Sequence, residues 1–276
     1  MNRPLLHVFR NTPFGRETLL QSAYTCRRMQ RPLDIYLPKD KKFLFYFDNE
    51  VVQVDLDRSY LHQPETAQEN AEAMLQLGPT LTTRFFQAEK YTATGLPDLS
   101  PGYGMMTCPR SMSDQTSRIS LGFIGSKVRH ILQTAPFPIL IPSPVYKPWT
   151  RLAVLYGGSD AAAGALRLAL EIQQRCNVEL RIFSLGDQKE LSAHLERQGL
   201  ANKIQRENWH VFSSGRIGDH LNQVPHDALV VLGAYGHGPI KALFGSTMET
   251  IQAGLPNNLL VTGPKFSALT TQEAAD

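Results

Sequence analysis

The residues with the clearest chemical promise form one segment, Gly233-Ala-Tyr-Gly236-His237-Gly238-Pro-Ile-Lys-Ala-Leu-Phe-Gly245-Ser246-Thr247. Glycines let a backbone approach a ligand closely. A Gly-Ser-Thr run that opens a helix adds free N–H groups, hydroxyl donors and the positive end of a helix dipole, and together these suit a phosphate. The apolar run 228–232 comes directly before the segment and reads as a buried strand. Gly233 then stands at the strand's carboxyl end, where ligands of open α/β sheets sit. His237 and Lys241 could add positive charge beside the loop.

A second candidate is the turn Gly157-Gly158-Ser159, which follows the apolar stretch 152–156 and whose Ser159 can cap the next helix. Other reactive types are less promising. Cys108 precedes Pro109 and Arg110, but a free cysteine in apolar sequence reads as core. His7 lies on an apolar strand and reads as a hydrogen-bonded core residue. His130, His194, His210, His220 and His226 lack the paired spacing of a metal site. No Gly-x-Ser-x-Gly elbow, Ser/His/Asp set or paired carboxylates stand out. We therefore expect no metal, no catalytic residue and no enzyme of ordinary turnover; a slow ATPase would have to lean on His237.

The elements that position these residues come from an internal repeat. The stretch 123–131, with Pro136, Ile139 and Pro144 after it, recurs without a gap at 243–251, with Pro256, Leu259 and Pro264. Gly125 and Ser126 fall on Gly245 and Ser246. Each copy reads as a Gly-Ser helix start, a short helix, a Pro-marked turn and a short buried strand. The opening units, around 5–9 and 152–156, match more loosely.

Strands alternating with helices predict a parallel sheet with helices on both faces. The fold class expected is α/β: two doubly wound, Rossmann-like domains in tandem, at 1–147 and 148–276. The first is more disturbed. Residues 43–47 and 51–56 read as a hairpin inserted around Asp48-Asn49, and 95–104 as a Pro- and Gly-rich loop. In place of the glycine loop, the first half has Met106-Thr-Cys-Pro-Arg-Ser111, whose proline removes a donor.

With its strand, glycine loop and Gly-Ser helix start in this order, the chain resembles the universal stress protein family. ATP-binding members carry G-x2-G-x9-G-S/T in that context; here the pattern is G-x2-G-x8-G-S-T, one residue shorter. The resemblance implies an adenine-nucleotide α-hydrolase-like fold, and it implies ATP or another adenine nucleotide, with Mg²⁺ as its companion. Gly233, Gly236, His237 and Gly238 would lie along the ribose and phosphates. Gly245, Ser246 and Thr247 would hold the phosphates, and Gly157, Gly158 and Ser159 would face the adenosine. Relatives usually place an acid where Gly157 stands. The resemblance also implies stress response through partner interactions, a pseudo-dimer of the two halves across their last strands, and pairing of two chains. A scaffold of the same fold that takes no ATP is the alternative.

Composition bounds the rest. The 276 residues carry a formal net charge of +3, with 42% apolar and 19% charged residues, as in ordinary globular chains. No basic face marks a nucleic-acid partner. Three well-separated cysteines argue against a disulfide framework. No apolar run approaches the roughly 20 residues of a membrane span, and residues 1–10 lack a secretory signal pattern. A cytoplasmic protein with no membrane partner is expected.

Overall fold

The computed structural model describes residues 3–47, 50–76, 78, 80–100, 102–110, 124–234 and 255–267. The first half opens with β1 (Leu5–Val8), α1 (Pro13–Met29) and β2 (Leu33–Tyr36). It continues through β3 (Lys42–Phe47), β4 (Glu50–Asp55), α2 (Pro64–Leu75), β5 (Thr83–Phe86), β6 (Lys90–Tyr91) and β7 (Pro97–Leu99). It closes with β8 (Met105–Thr107), α3 (Ser126–Thr134) and β9 (Ile139–Ile141). The second half opens with β10 (Arg151–Leu155), α4 (Asp160–Cys176) and β11 (Leu180–Leu185). Then come α5 (Gln188–Arg197), β12 (Trp209–Phe212), α6 (Ile217–His220), β13 (Ala228–Gly233) and β14 (Asn258–Thr262).

The opening units are duplicates in backbone detail, although their sequences differ. The N–H groups of Leu5 and Leu152 donate in the same way, to the carbonyls of Pro32 and Glu179, and those of Phe9 and Tyr156 to Tyr36 and Phe183. Helices α1 and α4 both span 17 residues. Thr12 and Ser159 cap them, each accepting a backbone N–H at 3.2 Å. Both helices end on a left-handed residue, Gln30 at φ 50° and Asn177 at φ 48°. The pairs Leu5/Leu152, Thr12/Ser159 and Gln30/Asn177 keep one constant spacing along the chain.

All ten main strands join one sheet, ordered β12-β11-β10-β13-β14-β9-β8-β1-β2-β5. Every neighbour pair is parallel except β14 with β9, where Leu260 faces Leu140 in antiparallel register. The last strands of the halves therefore meet at the centre. Asn258 reinforces the join: its amide accepts from Ser143 N at 2.9 Å and donates to Lys147 O at 2.8 Å. The chain then straps across α1, with Tyr146 N on Glu17, Lys147 N on Gln21 and Trp149 against Arg28.

Apolar runs such as 228–232 are continuous because both sheet faces are covered. Alternate residues feed two cores that each cross the midline. Leu6, Val230 and Leu259 face one, and Leu5, Val231 and Leu260 the other. On the first face, the N-terminal half carries a small sheet, β4-β3-β7-β6. The hairpin expected around 48–49 is β3 and β4, with Phe43, Phe45, Val52 and Val54 turned inward. The Pro-Gly loop is more ordered than its composition suggests: Pro97 and Leu99 are buried, and β7 pairs with β3 in parallel.

His7 is a core residue, 2% exposed, with Nδ1 at 2.9 Å from Ser22 Oγ. Ser22 in turn meets Thr107 and donates to Thr18 O. Burial drives the His7 ring down to about 3. Below the ordinary histidine value near 6.5, the unfolded chain takes up a proton that the folded chain refuses, so stability falls as pH drops from there towards 3. Between pH 7 and pH 4 this one group should cost about 3 kcal/mol. Urea denaturation of wild type and His7→Leu at the two pH values checks it: the variant should lose less stability on acidification by about that amount.

Candidate functional site

The candidate site of the second half lies at the carboxyl ends of β10, β11 and β13. Gly157 and Gly158 leave β10 without side chains. Gly158 is at φ 69°, which favours glycine, and a Cβ there would lie 3.1 Å from Leu191 Cδ2. Ser159 is buried, and its hydroxyl accepts from Ala162 N, so it caps α4. Gly233 ends β13 against the first turn of α4; an added Cβ would lie 2.3 Å from the Ala161 carbonyl. Its lack of a side chain is thus a packing requirement as well. Gly236, His237, Gly238, Gly245, Ser246 and Thr247 lie outside the described residues.

Sheet register gives the counterpart of each position in the first half. Leu155 corresponds to Val8, so Gly157 corresponds to Arg10, Gly158 to Asn11 and Ser159 to Thr12. Val231 pairs with Leu260 as Thr107 pairs with Leu140, which puts Pro109 in the place of Gly233. The first cleft is filled. Arg10 is buried with its guanidinium 5.3 Å from the Tyr60 ring centre. Leu37, Pro38 and Phe9 close in around Tyr60. Arg110 donates to Leu255 O at 3.4 Å, and burial pulls its guanidinium below the ordinary arginine range. Gly125 still caps α3 there, followed by Ser126.

Sequence reasoning missed a polar cluster at the second cleft. Tyr156 Oη meets His194 Nδ1 at 2.5 Å, and His194 Nε2 lies 3.6 Å from Asp160. Gln198 donates to Asp160 at 2.8 Å, and Arg167 donates to the Gln198 carbonyl at 2.9 Å. Burial pushes the Tyr156 hydroxyl up, against Arg167 and Arg197. The cluster ties α5 to the start of α4 and so holds the Gly157-Gly158 turn. His194 and Gln198 stand one turn apart on α5, and Tyr156 and Asp160 flank the Gly157-Gly158 turn, but only the fold brings these two segments together, so no local signal could reveal the cluster. On the outer side, at the end of β12, His220 stacks on Phe212 with ring centres 4.0 Å apart. Among the described residues no group of three or more His, Cys, Asp or Glu side chains could hold a metal ion.

No protein-family model matches the sequence, and no curated protein does. Solved structures do. A universal stress protein from Archaeoglobus fulgidus DSM 4304 aligns with TM-score 0.59 at 13% identity, covering 95% of this chain and 99% of that one. The chain has the universal stress protein fold. A functionally unknown protein from Pseudomonas aeruginosa PAO1 aligns with TM-score 0.57 at 16% identity, over 95% of this chain and 93% of that one. In this universal stress protein fold, the tandem halves build one continuous sheet.

The contact between Gly233 and α4 can be tested apart from any ligand. Gly233→Ala should destabilise the chain by about 2–3 kcal/mol, because the clash is with backbone rather than with a flexible side chain. Chemical denaturation measures this, and an unchanged midpoint would contradict the packing.

Proposed function

We propose that this chain is a stress-response protein that binds one adenine nucleotide, ATP or a close analogue, in its second half, and that occupancy changes its interactions with partners. The observation that carries the reading is the contrast between equivalent strand ends. Gly157 and Gly158 stand where the first half has Arg10 and Asn11, and Gly233 stands where it has Pro109. A bare backbone at the carboxyl ends of parallel strands suits a ligand that must approach main-chain N–H groups. The sequence Gly245-Ser246-Thr247 supplies the phosphate donors of this reading, and Mg²⁺ would screen the phosphate charge. Tyr156, His194 and Asp160 act indirectly, by fixing the turn.

A second reading has its own support. Gly157 offers no carboxylate to the nucleoside hydroxyls, and α4 packing alone accounts for Gly233. On that reading the same fold serves as a ligand-binding or scaffold stress protein without ATP. Both readings carry a cytoplasmic location and pairing of two chains as expectations. Among the described residues no helix is long and apolar enough to cross a membrane.

Analysis of the purified chain for co-purified nucleotide, followed by ATP titration, separates them. The first reading predicts one site per chain. Gly157→Arg, which copies the first half, should weaken ATP by about tenfold or more, as should Gly245→Val with Ser246→Ala. No binding at millimolar ATP would sink the nucleotide reading and leave the scaffold.

A further inference from the structure

A separate cavity lies at the other end of the second half's strands. Leu180, the first residue of β11, and Gln173, near the end of α4, both line it, which sets it opposite the Gly157 turn. The remaining wall is the 203–208 connection, which contributes Lys203, Ile204, Gln205 and Asn208. The cavity has about 90 Å³ of room. Since a single water needs about 10–15 Å³, this accommodates a ligand of about six heavy atoms.

Its chemistry is divided. Leu170, Leu180, Ile182 and Ile204 make an apolar floor, while Gln173, Lys203, Gln205 and Asn208 make a polar rim. Asn208 donates to Gln205 Oε1 at 2.9 Å, which holds that part of the rim together. No carboxylate lines the cavity. Lys203 is exposed, and no ion pair engages it among the described residues. In the first half the equivalent corner is shut: Cys26, Ala23 and Leu33 stand at the places of Gln173, Leu170 and Leu180, and all three are fully buried in the core they share with Ala67 and Ala71 of α2. The second half therefore lacks the packing that closes this corner in the first, and it has a cation at the mouth.

We propose that this cavity binds a short straight-chain carboxylate of about four carbons, with the alkyl chain over the floor and the carboxylate on Lys203. An apolar floor favours burial of the methylenes. The lone rim cation selects a negative head group, and the flanking amides of Gln173 and Gln205 supply further hydrogen bonds.

The test is calorimetric titration of the full chain with butanoate and with butanamide, its neutral counterpart. Butanoate should bind saturably and about tenfold more tightly than butanamide. Lys203→Gln, at an exposed position, should remove that preference while butanamide binding persists. Leu170→Trp should block both ligands, with circular dichroism confirming that the variant is folded. Equal affinity for the two ligands, an unchanged butanoate affinity in Lys203→Gln, or no saturable binding by wild type would each overturn the proposal.

Discussion

The structure depends on the antiparallel pairing of β9 with β14. Each half alone would leave one of these short apolar strands as an open sheet edge, with unpaired N–H and C=O groups beside Ile139–Ile141 or Asn258–Thr262. Joined, they turn two five-stranded sheets into one, and both hydrophobic cores run across the seam. Asn258 is 1% exposed at this seam, and its amide pairs with backbone on the connection that leads out of the first half. A buried amide of this kind fixes register, because a slip of one residue would strand its hydrogen bonds and exchange the two core faces.

The same pairing decides where function can reside. Antiparallel strands point their carboxyl ends in opposite directions, so the clefts of the two halves open at opposite edges of the sheet. The duplicated units could therefore diverge independently. One cleft took in Arg10, Tyr60 and Pro109 and gained a four-stranded sheet on one face. The other kept Gly157, Gly158 and Gly233. Side chains of the first half still reach across the seam: Glu50, at the start of β4, pairs with Lys265 beyond β14, and Arg110 reaches the carbonyl of Leu255. The Glu50 pair is exposed and contributes little to stability.

The repeat of Gly125-Ser126 at Gly245-Ser246, equal in type and spacing, was legible in the sequence, and the strands that follow it, β9 and β14, form the seam. The opening units looked only loosely alike, yet their backbones coincide from Leu5/Leu152 to Gln30/Asn177. Caps and sheet registers tolerate different side chains, as Thr12 and Ser159 or Gln30 and Asn177 demonstrate. The strand β7 escaped notice because three residues beginning with proline carry no period. Arg10 escaped because nothing in Phe9-Arg10-Asn11 marks it as the counterpart of Tyr156-Gly157-Gly158. Only the register of the sheet reveals that Arg10 and Pro109 fill the first site, and only the fold brings His194 to Tyr156.

Amide hydrogen exchange at the seam tests the account most directly. The backbone amides of β9 and β14, Leu140 and Leu260 among them, should exchange only through global unfolding, with the same free energy as the central strands β10 and β13. Exchange of β9 and β14 amides at a much lower opening free energy than β10 and β13, with the two halves opening separately, would contradict a single sheet built on that pairing.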